Sequence, residues 1–184
     1  MIKALRKGDL DVVDRLSPVT AMQLAEEPGT TIKVVPYALP TMHMLVPNYD
    51  EPYMKNDMFR RAILYGIMRE ATLNEIILKN RRIAGCQLVS GPFSPGMSVD
   101  DPLSYAYNRD MVPRPYAPRL AVVLTKLAEQ RLQEQAERKE EEPPEIPDLV
   151  IGYPPEEDAR NACTAFKFQL EQLEIFKVKL IEFE

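Results

Sequence analysis

The sequence predicts an α/β fold, and three observations carry that prediction. The last third reads as strand, helix, strand: "DLVIGY" (148–153) is a short apolar run of the kind found in buried strands. "PPEEDARNACTAFKFQLEQLE" is an amphipathic helical pattern, and "IFKVKLIEF" alternates with Phe176, Val178 and Leu180 on one face. A strand–helix–strand of this length implies parallel pairing through a right-handed crossover. The second observation is "NDMFRRAILYGIMREATLNEIIL" (56–78), which reads as two consecutive amphipathic helical runs. The third is size: 184 residues with 45% hydrophobic and 28% charged content suffice for one globular domain with a real core.

Each element has a local reason. "MIKALRKG" looks like the end of a helix, with basic residues in its last turn and Gly8 at the stop. "LDVVDRL" (10–16) is apolar enough for a short strand. In "SPVTAMQLAEEPG", Ser17 is the N-cap, Pro18 takes the first helical position, and Pro28-Gly29 end the helix. "TTIKVVPYALPTMHMLV" (30–46) is extended and β-branched but interrupted by Pro36 and Pro40, so it reads as an edge strand or a crossing segment.

Asn56 or Asp57 caps the next helix, whose face is Phe59, Ala62, Ile63 and Ile67. Thr72 with Glu75 reads as a capping box for a following helix with Ile76, Ile77 and Leu78 on its apolar side. Residues 85–118 are rich in turn formers, and a connection of that length is often a functional surface loop. A helix over about 118–142 follows, with Leu120, Val123, Leu124 and Leu127 as its buried face. From Glu129 onward it is nearly all polar and is expected to project into solvent, with Glu134 and Arg138 at the favourable i, i+4 spacing, until "PPEIP" breaks it. In the last helix Ala159, Ala162, Cys163, Phe166, Leu170 and Leu173 line one side.

Composition removes whole classes of function. A net charge of −5 gives no basic excess for a nucleic-acid backbone, and Lys79-Asn80-Arg81-Arg82 is too short to change that. His43 is the only histidine, which excludes a Cys/His zinc set and a histidine-centred triad. Prolines in "GPFSPG" remove the backbone donors that a phosphate would need. Glu156-Glu157 suit a helix N-terminus, and Asp100-Asp101 a turn. Cys86 and Cys163 show no sign of pairing. There is no apolar run near 18 residues, hence no transmembrane helix or membrane insertion by this chain, and no secretion signal at the start. Taken alone this reads as cytoplasmic, or as a chain whose natural start lies upstream.

Four segments, in order, resemble the ABC-transporter extracellular solute-binding proteins of family 5, the oligopeptide- and dipeptide-binding group. "GDLDVVDRLSP" is similar to the family's Gly-Asp-x-Asp strand and turn. "RRAILYGIMRE" resembles its Arg-x-Ala helix with Tyr, Ile, Asp-Arg-Glu. "YAPRLAVVL" resembles its Tyr-Asp-Pro helix start, and the run from Leu149 to Leu180 its strand–helix–strand. The stretch "VSGPFSPG…YAYN…PRPY" looks closest to a planctomycete-like branch. Three positions depart from the pattern: Met68 stands for an aspartate, Ala117 for a capping aspartate and Glu174 for a glycine.

The resemblance implies a partial periplasmic-binding-protein type II fold. Residues 1–35 would be a remnant of the first lobe and 36–184 most of the second, so that the chain is an incomplete fragment. It implies a peptide or similar small solute, an ABC permease as partner, a periplasmic or cell-envelope location for the full-length protein, no cofactor, no metal and no catalysis. Asp14, Arg15, Leu16 and Ser17 would stand on the first-lobe wall of the ligand cleft, and Gly91, Phe93 and Tyr105 on the second. Arg60 and Arg61 would be structural, their stems on apolar surface and their heads at carboxylates or solvent. The other reading is a non-enzymatic interaction protein using the helix at 128–142. Its polar composition argues against a buried seam, which needs sustained apolar a and d positions.

Overall fold

A computed structural model describes residues 1–14, 16–35, 42–83, 86–91 and 110–183. The element order is α1 (Ile2–Lys7), α2 (Pro18–Glu26), α3 (Pro52–Lys55), α4 (Asp57–Gly66), α5 (Arg69–Ala71), a π-helical segment (Thr72–Ile77), α6 (Pro118–Lys139), β1 (Leu149–Tyr153), α7 (Glu157–Glu171) and β2 (Val178–Glu182).

The local signals decide most boundaries. α1 stops at Gly8, in the left-handed region at φ 79°, whose N–H returns to Ala4 and Leu5 carbonyls. The Ser17 hydroxyl accepts from the Thr20 N–H at 3.3 Å and starts α2. The Asn56 carboxamide oxygen accepts from the Met58 N–H at 2.9 Å and starts α4. β1 and β2 pair in parallel, Leu149 opposite Val178 through Tyr153 opposite Glu182, and α7 connects them.

The core is built where α4, α6, α7 and this small sheet meet. Phe59, Ala62 and Leu170 are fully buried, joined by Tyr53, Ile67, Ala128, Leu149, Phe176 and Val178. Three aromatic rings run through it: Tyr53 and Phe59 lie edge to face at 4.8 Å, and Phe59 and Phe176 at 5.8 Å. At Gly66 a Cβ would sit 2.8 Å from Leu173 Cδ1 and 3.0 Å from Leu170 Cδ2, so the missing side chain is what lets the end of α4 approach α7.

Several expectations are corrected. The described residues of 10–16 form no strand; those of 30–46 form none either, which removes the edge-strand alternative but not the crossing segment. A ladder needs a partner, and the only one among the described residues joins β1 to β2. Thr72 does not cap a helix. It lies inside the helical run, buried, with its hydroxyl accepting from Gln169 Nε2 at 3.1 Å.

The buried face of α6 is only partly the predicted one: Leu124 packs against the core as expected, but the other three predicted residues do not. Leu120, Val123 and Leu127 are 40%, 51% and 40% exposed, while Ala121, Thr125, Ala128 and Ala136 are buried. The most extensive helix packing is α4 on α6, and alanines let the two backbones come close. For the same reason the second half of α6 does not stand free: Leu132 packs on the core and Ala136 is 6% exposed. The helix ends at Lys139 on a left-handed Glu140, before the prolines. Phe166 is partly rather than fully buried, at the edge of the core.

Arg60 and Arg61 are structural, by a route the sequence did not specify. Arg60 Nη1 donates to the Met54 carbonyl at 2.6 Å and the Lys55 carbonyl at 2.8 Å, closing the end of α3, and its guanidinium lies 5.1 Å from the Tyr49 ring centroid. Arg61 meets Asp57 one turn back at 3.5 Å.

Candidate functional site

Ser17 is held in the α2 cap, with its hydroxyl also 2.8 Å from the Thr20 hydroxyl. Leu16 is half-buried and Asp14 exposed. Gly91 is half-buried with open space where a Cβ would be. Arg15, Phe93 and Tyr105 lie outside the described residues. Asp100-Asp101 do so as well. His43 is exposed, and Glu156 and Glu157 stand exposed at the start of α7.

Among the described residues, an open groove of about 810 Å³ lies elsewhere, beside α5. It is lined by residues of α5 and the π-helical segment and by Cys86–Leu88, Val112–Arg114 and Tyr116, from the two chain segments that flank the long loop. The cations in it are Arg69 and Arg114, and the carboxylates Glu70 and Glu75.

The side containing Arg114 is pinned by three hydrogen bonds. The Ala117 N–H donates to the Tyr65 carbonyl at 2.9 Å, Arg114 Nη1 to the Tyr65 hydroxyl at 3.0 Å, and Arg69 Nη2 to the Arg114 carbonyl at 2.8 Å. The Arg114 guanidinium also lies 5.6 Å from the Tyr65 ring centroid. The Tyr of "RRAILYG" thus orients the Arg of "PRPY", two motifs far apart in sequence.

Arg69 is the unusual residue. Its Nε–H is buried and has no hydrogen-bond partner among the described residues. Burial, and next the positive charge of Arg114, lower its pKa from the ordinary arginine value. An unpaired buried donor costs stability, about 1–3 kcal/mol. Sequence reasoning assigned no role to Arg69 or Arg114, although both lie in quoted motifs. The available signal was the pairing of an arginine at a helix break with another beside a proline-rich loop.

Among the described residues no group of three or more His, Cys, Asp or Glu side chains is placed to hold a metal ion. Cys86 is exposed and Cys163 is buried, its thiol pushed up by burial. No helix among the described residues is long and apolar enough to cross a membrane.

Helices packed on a small two-stranded parallel sheet make a mixed α/β architecture, consistent with a partial α/β solute-binding fold. Residues 1–183 match the model of the bacterial extracellular solute-binding proteins, family 5 Middle, and the chain belongs to that family. No match was found among curated proteins or among solved structures.

Proposed function

We propose that this chain forms part of the receptor that captures a peptide, or a similar small solute, for an ABC permease in the periplasm or cell envelope. The observation that carries the reading is family membership over nearly the whole chain. Residues 36–184 supply most of the second lobe and 1–35 the end of the first. The cleft walls are the turn Asp14-Arg15-Leu16-Ser17 and the loop bearing Gly91, Phe93 and Tyr105. The role is binding without catalysis. A peptide site of this kind uses backbone donors and acceptors in extended loops, with aromatic surfaces for tolerant side-chain pockets.

Affinity in such receptors comes from burying the solute between two lobes, so one lobe with part of the other binds weakly. Calorimetric titration with di- to pentapeptides is expected to give a Kd of about millimolar or weaker for the 184-residue chain. A protein carrying both complete lobes is expected to bind far more tightly. Micromolar binding by the short chain rejects the divided-cleft reading, and no binding by either protein rejects the peptide.

A further inference from the structure

We propose that the outer edge of β1 is a self-association surface: two copies of this chain join antiparallel, β1 to β1, about a two-fold axis at Ile151.

The phase of the β1–β2 ladder leaves that edge open. The Leu149 N–H donates to the Lys177 carbonyl at 2.7 Å and the Phe183 N–H to the Tyr153 carbonyl at 2.9 Å, with Ile151 opposite Leu180. Alternate residues of a strand turn their peptide groups to opposite sides, so Leu149, Ile151 and Tyr153 serve β2 while Val150 and Gly152 point away. Both are exposed, and neither peptide group has a hydrogen-bond partner among the described residues. The free edge of β2 is different. At Val178 its carbonyl accepts from Lys167 Nζ at 2.6 Å and its N–H donates to Glu171 Oε1 at 3.2 Å, so α7 side chains stand where an added strand would begin.

The edge fits its own copy. A second β1 is already a strand, whereas an unfolded segment must first be ordered before it can add to the sheet. Two-fold symmetry makes the pairing antiparallel. With the axis at Ile151, Val150 of each copy faces Gly152 of the other, and each such pair exchanges N–H···O bonds in both directions. Moving the axis to Gly152 sets Val150 opposite Pro154, which has no N–H to give. β1 carries no charge, and Asp148 just before it is paired with Lys179 at 2.8 Å, so two copies meet without like-charge repulsion. The side chains match as well. Phe183 lies over Gly152, where a Cβ would collide with its ring. The second copy's Val150 arrives beside that ring, so side chains that are 57% exposed at Val150 and 58% at Phe183 cover each other. The product is a four-stranded sheet, β2-β1-β1-β2, in place of a two-stranded one. The pairing needs no solute.

The test is the oligomeric state of the 184-residue chain, read together with amide exchange. A small interface of this kind suits a Kd of about 100 μM. Sedimentation velocity is expected to show a monomer of 21.0 kDa at about 1 μM and mostly a species of about twice that mass at about 500 μM. By NMR, the Val150 and Gly152 amides are expected to exchange about threefold more slowly at about 500 μM than at about 20 μM, while Leu180, on the outer edge of β2, does not slow. Val150→Pro removes an N–H that the ladder with β2 does not use. It is expected to keep the monomer folded by circular dichroism and to abolish the heavier species. Ile181→Gln, on the outer face of β2, is expected to leave that species in place. If Val150→Pro does not fold, the exchange of the parent chain decides. A monomer at all these concentrations overturns the proposal, as does a dimer whose Val150 and Gly152 amides still exchange freely. Dispersal by Ile181→Gln also overturns it, since the sheet faces would then be what stacks. Equal protection of both amides at every concentration overturns it too, as an edge covered within one chain.

Discussion

Gln169 on α7 donates from Nε2 to the Thr72 hydroxyl at 3.1 Å, while its Oε1 accepts from the Met68 N–H at 2.8 Å. Both Gln169 and Thr72 are buried. One amide therefore ties the break between α4 and α5 to the terminal strand–helix–strand unit. Gln169→Leu leaves two polar groups without partners and is expected to cost about 3 kcal/mol, against about 1–2 kcal/mol for Thr72→Val. Urea unfolding of the two single variants and the double variant checks this. Additive effects would show that the pair is not coupled.

The second half of α6 belongs to the fold. Deleting 129–142 and joining the ends with a Gly/Ser link removes Leu132 and Ala136 from the packed face, and disturbs the segment that brings the Pro144 carbonyl to the Tyr53 hydroxyl at 3.2 Å. Loss of cooperative unfolding, or a drop of several degrees in Tm, is expected in circular dichroism melts. An unchanged melt would return the segment to the solvent-projecting role its composition suggests.

The weight of the core falls on Phe59 more than on Phe166. Phe59 is completely buried between Tyr53 and Phe176, and Phe59→Ala is expected to cost about 3–5 kcal/mol. Phe166 is only partly buried, and Phe166→Ala is expected to cost less, about 1–3 kcal/mol. Denaturant midpoints in the reverse order would place the centre of the core on the outer side of α7.

Two departures from the family pattern are correctable weaknesses. Glu174 follows α7 with φ 58°, a left-handed conformation that an L side chain adopts at a cost, and Glu174→Gly is expected to stabilise by about 1 kcal/mol. Ala117 stands at the N-cap of α6 without a capping side chain, and Ala117→Asp is expected to contribute about 1 kcal/mol. Both gains are read from chemical unfolding. The sites lie on different elements, so the double variant should show nearly the sum.

Asp158, in the first turn of α7, has its pKa raised by burial and then by Glu157, against the opposing pull of His43 and Lys79. The folded state therefore holds this proton to a higher pH than the unfolded chain does. The ionised carboxylate costs stability above the folded pKa, and this cost diminishes as pH falls toward the unfolded value. Asp158→Asn is expected to remove that contribution to the pH dependence, measured as urea midpoints across the acid range. A variant with the same pH profile as the parent would refute the assignment.

The sequence by itself determined what depends on near neighbours. The Ser17 and Asn56 caps, the stop at Gly8, β1, α7 and β2 all follow from hydrogen bonds closed within a few residues or from a period of two or 3.6. The net charge and single histidine likewise bound the chemistry without any coordinates. Only the tertiary structure decided which face of α6 is buried. Its sequence carries two overlapping stripes, and the larger side chains of Leu120, Val123 and Leu127 lost to alanines, because close approach to α4 favours small residues at the contact. Thr72 likewise reads locally as a cap, but acts as a buried partner of a glutamine 97 residues away. The groove depends on Arg69 meeting a carbonyl 45 residues further along the chain. Such choices are made by packing and hydrogen bonding between distant segments, where local periodicity carries no information about which surfaces meet.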